Sequence, residues 1–417
     1  MAEIPRDVDV AAPPRPEPPD TTPNALPVVR LQPGRDGRVR QGYPWVFNNE
    51  LVFDATTREV PPGGLVRLVD GRGKALGIAG LNRHTLIAAR LMTREPDERI
   101  DRDWFVRRIA AAAAVRDRLF DVPHYRLLHA EADGLPGLIA DRYGDVVVLQ
   151  VNTAVMDSLV APILEALDAV LAPRAIVLRN DAAGREAEGL ATSVGLAAGT
   201  LDGPVTVLEN GARFPADPLG GQKTGWFFDQ RDNRAFAARL APGLDVLDVY
   251  AHTGGFAIQA ARAGARSVVA LDRSASALET AVEAATMNGV ADRFEVVKAD
   301  AFAEMQRMAD AGRRFGVVIV DPPAFAKVKK DTAAALRGYR KMTRFAARLV
   351  APGGYLVAAS CSHHVDAPAF AEAVRKGLVE ARRAGRILRQ AGAGPDHPVH
   401  PHLPESAYLK AITVALD

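Results

Sequence analysis

Residues 244–256 read Leu-Asp-Val-Leu-Asp-Val-Tyr-Ala-His-Thr-Gly-Gly-Phe, an apolar run that ends in a turn of small residues. The run predicts a buried strand, and the following segment GGFAIQAARAG predicts a helix. The alternation continues through SVVALD, SASALETAVEAATMNG, FEVVKAD, VVIVDPP and YLVAAS, which predict a strand, a helix and three further strands. This order predicts an α/β domain with a doubly wound parallel sheet, whose ligands bind beyond the carboxyl ends of the strands.

Aspartates end four successive predicted strands of this domain, at Asp248, Asp272, Asp300 and Asp321. A carboxylate at the end of the second strand can accept hydrogen bonds from both hydroxyls of a ribose, which predicts that role for Asp272. Asp300, at the end of the next strand, is placed to meet an adenine amine. Capping of the following helix is the alternative explanation, and it accounts for one or two of these acids but not for all four.

The turn after the first strand disfavours two common nucleotide cofactors. Its Gly254-Gly255 pair does not form the G-x-G-x-x-G pattern of NAD sites, and the chain has no G-x-x-x-x-G-K-[ST] pattern for ATP. The turn and the four acids together resemble the class I methyltransferase fold. This resemblance implies S-adenosylmethionine as the cofactor.

More specific motifs extend the resemblance over the chain from about Val28 to the C-terminus. In the C-terminal half they are QKTGWFFDQRDNR (222–234), Tyr250-x-x-Thr253-Gly254-Gly255-Phe256, Asp321-Pro322-Pro323-Ala324-Phe325, Ser360-Cys361-Ser362, Asp396-His397-Pro398-Val399 and Tyr408-Leu409-Lys410. In the N-terminal half they are Gly42-x-Pro44-Trp45-Val46-Phe47, DGLPGLIADRYG (133–144) and REAEGL (185–190). The chain resembles the family of large-subunit ribosomal RNA cytosine-C5 methyltransferases that carry an N-terminal PUA domain.

The resemblance implies three domains, and the sequence patterns agree with this. We expect a PUA-type RNA-binding β-barrel over 27–110, where short β-like runs are broken by glycine, and a small central α+β domain over 111–200. A Rossmann-like class I methyltransferase domain is expected over 201–417. The Pro-rich residues 1–26 cannot bury enough apolar surface to fold and are expected to be disordered. The resemblance also implies a homodimer.

The cofactor site is expected to combine the strand ends, the glycine turn and two residues from the segment before the first strand. Asp229 and Arg231, the residues from that segment, are expected at the site only because of the resemblance to the family. The full set is Asp229, Arg231, Asp248, Tyr250, Thr253, Gly254, Gly255, Phe256, Asp272, Ser274, Asp300, Ala301 and Asp321.

Methylation of carbon 5 of cytosine requires a nucleophile, because this carbon is unreactive until a thiolate adds to carbon 6. Cys361, after the strand YLVAAS, is the predicted nucleophile. Asp321, at the end of a neighbouring strand, is the second predicted catalytic residue and accepts hydrogen bonds from the cytosine edge. A small buried core residue is the alternative for a lone cysteine. Ala324 stands where many RNA cytosine methyltransferases have a second cysteine, so proton removal from carbon 5 must use another group or water.

Two further functions remain open at this point. Asp-Pro-Pro followed by the aromatic Phe325 is also typical of enzymes that methylate base nitrogens, such as nitrogen 7 of guanine, and Cys361 would then be structural. The third alternative is an RNA-binding protein with a vestigial enzyme domain, against which the four strand-end acids argue.

Basic residues cluster in two places, although the net charge of the whole chain is only +2. One cluster contains Arg30, Arg35, Arg38 and Arg40 in the expected barrel; the other lies over 323–350, beside the catalytic motif. A solvated surface is the usual explanation of such runs, and RNA phosphate contact is the functional one. Substrate contacts are predicted for Pro322, Pro323, Phe325, Lys327, Lys329, Lys330 and Arg337.

Composition excludes several other classes of protein. Cys361 is the only cysteine in 417 residues, so neither an internal disulfide nor a cysteine-based zinc site can form, and no metal is expected. No apolar stretch approaches the length of a membrane span, and the N-terminus lacks an apolar signal core. We therefore expect a cytoplasmic protein that contacts RNA and no membrane.

Overall fold

The computed structural model describes residues 21–221, 224–326 and 328–417. Residues 1–20 of the expected tail, Gln222 and Lys223 of the quoted motif and the predicted substrate residue Lys327 lie outside the described residues. The segment 21–26 differs from the expected disorder, because Pro23–Ala25 form a 3₁₀ turn and Leu26 is only 7% exposed. Among the described residues, no helix combines the length and the apolar character needed to cross a bilayer.

The N-terminal unit is a small β-barrel. Its elements are β1 (Val28–Arg30), α1 (Gly37–Gln41), β2 (Trp45–Phe47), α2 (Ala55–Glu59), β3 (Gly64–Val69), β4 (Ala75–Leu81) and β5 (Ile87–Thr93). The sheet runs β1-β3-β4-β5-β2, and an isolated bridge between Leu31 and Leu51 connects the segments that follow its two edge strands. The expectation of short β-like runs over 27–110 is wrong for GRVRQ, which forms the helix α1 and ends at Gly42 in a left-handed conformation.

The central unit is a five-stranded sheet covered by helices. It comprises α3 (Arg102–Leu119), β6 (His124–His129), β7 (Leu138–Tyr143), β8 (Val146–Val151), α4 (Ala154–Ser158), α5 (Val160–Leu171), β9 (Ala175–Asn180), α6 (Gly184–Ala187) and β10 (Ser193–Gly199). The order is β10-β9-β8-β7-β6. The expected boundary at residue 110 falls inside α3, which packs on β6 and α5 through Trp104, Phe105 and Ile109. The structure therefore places this helix wholly in the central unit.

The C-terminal unit begins with an antiparallel hairpin that the strand–helix pattern does not predict. The hairpin is β11 (Val205–Glu209) and β12 (Ala212–Ala216). It contacts β6 and β7 on one side and the helices of the C-terminal sheet on the other. Phe214 and Trp226, with ring centroids 4.4 Å apart, belong to the apolar core that these two units share.

The C-terminal sheet has seven strands in the order β15-β14-β13-β16-β17-β19-β18. Its elements are α7 (Arg231–Arg239), β13 (Asp245–Val249), α8 (Gly255–Arg262), β14 (Ser267–Asp272), α9 (Ala275–Met287), β15 (Phe294–Lys298), α10 (Ala301–Asp310), β16 (Phe315–Val320), α11 (Thr332–Leu349), β17 (Val350–Ser360), α12 (Ala367–Glu380), β18 (Gly385–Ala391) and β19 (Lys410–Leu416). Strands β13 to β17 are parallel, and β19 is antiparallel between β17 and β18. Apolar cores on both faces confirm the expected doubly wound α/β class.

Buried polar contacts fix the three units to one another. Arg90 of the barrel pairs with Glu131 at 3.1 Å and Glu188 at 3.0 Å, both in the central unit. Near the C-terminus, Asp396 is fully buried against the central unit. Its carboxylate accepts a hydrogen bond from the backbone N–H of Arg126, and its carbonyl accepts one from Arg116, each at 3.0 Å.

Candidate active site

The carboxyl ends of four parallel strands converge at one edge of the sheet. Asp272, the last residue of β14, accepts hydrogen bonds from the backbone N–H groups of His252 at 3.0 Å and Ser274 at 2.8 Å. The N–H of Asp321, directly after β16, donates to Val249 at the end of β13. These bonds join the β14, β13 and β16 ends, so these strand-end residues form one continuous rim.

The loop between β13 and α8 adopts an unusual backbone conformation. Tyr250, His252 and Gly254 all have positive φ, at 66°, 50° and 80°. Left-handed backbone at two non-glycine residues is costly and is maintained only where the surroundings enforce it, as at ligand-binding sites. The loop leads into the N-terminus of α8, where backbone N–H groups favour polar ligand atoms. This shape and the neighbouring carboxylates fit the adenosine part of S-adenosylmethionine.

Some predicted cofactor residues are buried and hold this loop and the start of α8 in place. Asp248 is 1% exposed and accepts a hydrogen bond from the N–H of Ala257 in α8. Burial raises its pKa to about 8. Phe256 is buried in the core, and a Cβ at Gly255 would come within 2.6 Å of the Arg234 side chain. Protein packing therefore explains the glycine at position 255.

The helix-capping alternative holds for two other predicted cofactor residues. The carboxylate of Asp300 accepts from the N–H of Ala303 and caps α10, while its side chain lies on the surface. The hydroxyl of Ser274 caps α9. Ala301 is the first residue of α10, and the Thr253 hydroxyl lies 3.3 Å from the His252 ring. Neither cap excludes ligand contact, because both residues stand on the same rim as Asp272.

The side chains of Asp229 and Arg231 contact different parts of the protein. Asp229 accepts a 2.6 Å hydrogen bond from the hydroxyl of Tyr408, on the Cys361 side of the rim. Arg231 points the other way: its guanidinium donates to the carbonyl of His124 in the central unit and lies 4.2 Å from the Phe120 ring centroid. The expected place of Arg231 beside the cofactor pocket is therefore not supported, since its charged group is used to join two units.

Cys361 directly follows β17, and its sulfur lies 3.9 Å from the carbonyl oxygen of Pro322 after β16. The two catalytic segments are neighbours because β16 and β17 pair in parallel up to Val320 and Ala358. Cys361 is partly exposed. The structure thus brings Asp321, Pro322 and Cys361 together at the rim next to the glycine loop.

Side chains without a predicted role complete the surroundings of Cys361. Ser362 bonds to the Tyr339 hydroxyl at 2.8 Å, and His363 stacks on Tyr408 with ring centroids 5.0 Å apart. Lys410, the first residue of β19, donates to the carbonyls of Ser362 and Tyr408. The sequence contained a signal for three of these, because Ser362, Tyr408 and Lys410 belong to quoted motifs. Their link to Cys361 depends on the antiparallel insertion of β19.

The predicted substrate residues separate into packed and exposed sets. Phe325 is half-buried with its ring centroid 4.7 Å from that of Tyr339, and Pro322 is buried, whereas Pro323 is exposed. Lys329, Lys330 and Arg337 are exposed on the 3₁₀ turn before α11 and on α11 itself.

Two of the four clustered arginines of the barrel, Arg38 and Arg40, form ion pairs within the barrel. Arg40 pairs with Asp36 and Asp70, and Arg38 pairs with Glu50. Among the described side chains, no cluster of three or more His, Cys, Asp or Glu has the arrangement of a metal site.

The comparisons with known proteins agree with this architecture. Residues 191–413 match the model of a family described as S-adenosylmethionine-dependent methyltransferases, and residues 29–94 match a PUA-like domain. The chain belongs to the S-adenosylmethionine-dependent methyltransferase family. The expected fold class and cofactor are therefore confirmed.

Individual relatives extend the similarity over nearly the whole chain. "Ribosomal RNA large subunit methyltransferase I" of Shewanella denitrificans is 36% identical over 92% of this chain and 98% of its own length. The protein of that name from Tolumonas auensis is 36% identical over 93% of this chain and 98% of its own. A solved structure from Streptococcus mutans, described as a SAM-dependent methyltransferase, superposes with a TM-score of 0.78 at 19% identity, over 93% of this chain and 99% of that one. At this identity the likeness shows the fold.

Asp272→Ala is expected to weaken S-adenosylmethionine binding about tenfold to a hundredfold, because a charged acceptor for two ribose hydroxyls is worth about 1.5–3 kcal/mol. Isothermal titration calorimetry measures the dissociation constant. Asp292→Ala is the matched control, since Asp292 is exposed before β15, at the opposite edge of the sheet. An unchanged dissociation constant in Asp272→Ala would contradict the ribose-binding role.

Proposed function

We propose that this protein transfers the methyl group of S-adenosylmethionine to carbon 5 of a cytosine in large-subunit ribosomal RNA, with Cys361 as the nucleophile. The observation that carries the proposal is the position of the Cys361 sulfur, 3.9 Å from the Pro322 carbonyl and beside Asp321 at the cofactor rim. The relatives that match this chain almost end to end are named as large-subunit ribosomal RNA methyltransferases, which supports ribosomal RNA as the substrate.

In this reaction Cys361 and Asp321 act on the cytosine ring in turn. The Cys361 thiolate forms a bond to carbon 6, which makes carbon 5 nucleophilic. Asp321 accepts hydrogen bonds from the cytosine amine and holds the ring in register. Bound S-adenosylmethionine supplies the methyl group as an electrophile. Carbon 5 then loses its proton to water or a nearby base, and the bond from Cys361 to carbon 6 breaks, which releases the thiolate and restores the ring.

The residues that would hold the cofactor line the rim described above. Asp272 and the loop 250–254 would bind the ribose and the methionine part, and Asp300 with Ala301 would face the adenine. The fit rests on the positive φ angles of the loop and on carboxylates at successive strand ends.

The exposed residues Lys329, Lys330 and Arg337 supply the proposed phosphate contacts beside the catalytic segment. Arg337 lies one and two turns along α11 from Lys341 and Arg344, so these side chains share a helix face. The target base must leave its stack to reach Cys361, and a positive surface next to the pocket stabilises the distorted backbone. A ribosomal RNA substrate also agrees with the expected cytoplasmic location. The homodimer stays a prediction.

Nitrogen methylation is less well supported than carbon-5 methylation. It requires the aromatic residue after Asp-Pro-Pro to hold the flipped base. Phe325 is half-buried, with its ring tilted against that of Tyr339 at a centroid distance of 4.7 Å, so part of its ring already packs against the protein core.

A trapping experiment tests the carbon-5 mechanism. Ribosomal RNA containing 5-fluorocytosine is expected to form a covalent adduct with the full-length protein in the presence of S-adenosylmethionine. Fluorine cannot leave carbon 5 as a proton does, so the bond to Cys361 persists through denaturation. Denaturing electrophoresis followed by mass spectrometry of the cross-linked peptide identifies the site. Methylated RNA without any adduct would contradict the mechanism, and a methyl group located on a ring nitrogen would replace it.

A further inference from the structure

Lys410 is a buried cation at the carboxyl end of the sheet. It is 6% exposed and lies opposite Ser360, the last residue of β17, in the β17–β19 register. Its ammonium donates to the carbonyl of Ser362 at 2.6 Å and to that of Tyr408 at 2.7 Å. Among the described residues, no carboxylate oxygen lies within 4 Å of the ammonium.

A buried ammonium held only by neutral carbonyls is unfavourable, because the lost hydration is not repaid by an opposite charge. Burial accordingly lowers the pKa of Lys410 to about 8. The negative charges that oppose this shift are those of Cys361 first and Asp366 second. Cys361 directly precedes the residue whose carbonyl Lys410 binds, so its ionised sulfur is an anion placed to balance the ammonium.

We propose that Lys410 is the counter-charge that keeps Cys361 in the thiolate form and fixes the turn from Ser360 to Ser362 on which the sulfur lies. Lys410 is thus a positioning residue, and this role deepens the proposed function, on which it rests. The mechanism needs the thiolate because the protonated sulfur does not attack carbon 6.

Other titratable and charged groups face Cys361 from each neighbouring element. They are Asp321 after β16, Tyr339 on α11, His363 in the turn after β17, Asp366 before α12, Tyr408 two residues before β19, and Asp229 in the 3₁₀ turn before α7, which binds the Tyr408 hydroxyl. The carboxylates and the tyrosines disfavour a thiolate or are neutral near pH 7. Lys410, the first residue of β19, adds a positive charge to these surroundings near pH 7, below its pKa of about 8.

The experiment measures how fast iodoacetamide alkylates Cys361 as a function of pH in the full-length protein. Only the thiolate displaces iodide, and Cys361 is the only cysteine, so the rate reports the ionisation of this one group. In the wild-type protein the midpoint is expected below the ordinary thiol value of about 8.5. Lys410→Gln keeps N–H donors for the two carbonyls but removes the charge. It is expected to move the midpoint up by about one pH unit or more and to slow alkylation at pH 7 about tenfold.

Lys376→Gln is the matched control, because Lys376 is an exposed lysine on α12 and should leave the midpoint unchanged. A folded Lys410→Gln protein with the wild-type midpoint would overturn the proposal. If this variant does not fold, the wild-type midpoint decides, and a value at or above about 8.5 overturns the proposal as well. If the wild-type protein forms the adduct on 5-fluorocytosine RNA but the alkylation midpoint does not shift in Lys410→Gln, the role of Lys410 is excluded and the role of Cys361 stands. If the alkylation midpoint shifts but no adduct forms on 5-fluorocytosine RNA, the role of Cys361 in methylation is excluded instead.

Discussion

Cys361→Ala is expected to lower cytosine methylation by at least about a thousandfold, because carbon 5 is not reactive without addition at carbon 6. S-adenosylmethionine binding should stay within about twofold of wild type, because the cofactor rim is built by β13, β14 and the loop 250–254. Transfer of labelled methyl groups to ribosomal RNA measures the first quantity and calorimetry the second.

Cys361→Ser separates loss of the thiol from loss of packing. A hydroxyl fills nearly the same volume but is scarcely ionised near neutral pH, so this variant should be almost as inactive as Cys361→Ala. Near-normal methylation by Cys361→Ala would exclude the carbon-5 mechanism. The segment Asp321-Pro322 with Phe325 would then be the place to look for a nitrogen-methylating pocket.

Asp141→Ala is expected to destabilise the protein by about 3–5 kcal/mol, the usual cost of leaving one partner of a buried ion pair without its counter-charge. Asp141 is fully buried and accepts two hydrogen bonds from the guanidinium of Arg126, at 2.6 and 3.1 Å. It also accepts a bond from the Thr224 hydroxyl in the segment that leads to the cofactor rim. Thermal unfolding followed by circular dichroism measures the effect.

Asp145→Ala is the control for this prediction, because Asp145 pairs with Arg174 on the surface of the same unit. Such exposed pairs contribute at most about 1 kcal/mol. Asp141→Asn should fall between the two, since an amide keeps an acceptor for Arg126 but no charge. Equal melting temperatures for Asp141→Ala and Asp145→Ala would show that the buried pair contributes little.

The parallel part of the fold follows from local pattern, since each buried strand is a short apolar run and each helix repeats its apolar residues every three or four positions. The strand that ends at Asp272 and the helix that Ser274 caps were predictable for this reason. The hairpin 205–216 was missed although it carries a local signal: Asn210 and Gly211, both with positive φ, form the two-residue turn that joins its strands. The helix Gly37–Gln41 was missed because five residues carry too little periodicity to separate helix from strand.

In the candidate site, too, residues placed by local pattern could be predicted, whereas residues placed by distant contacts could not. Asp321 and Cys361 could be predicted, because each directly follows a recognisable strand. The direction of Arg231 and the contact of Lys410 with the Cys361 turn depend on which distant segment packs against them. Pairwise tertiary contacts of this kind leave no periodic signal in a single sequence.

The buried contacts of Asp396 have a consequence for the order of events during synthesis. Arg116 and Arg126 emerge from the ribosome some 270–280 positions before the residue that completes their hydrogen bonds. The strand β19, which fills the gap between β17 and β18, is made after both of these neighbours. A nascent chain therefore holds an open sheet and unsatisfied polar groups until Asp396 and β19 have emerged. Removal of residues 408–417 deletes the whole of β19, which is paired on both edges, so quality control in the cell would meet such products as unfinished proteins.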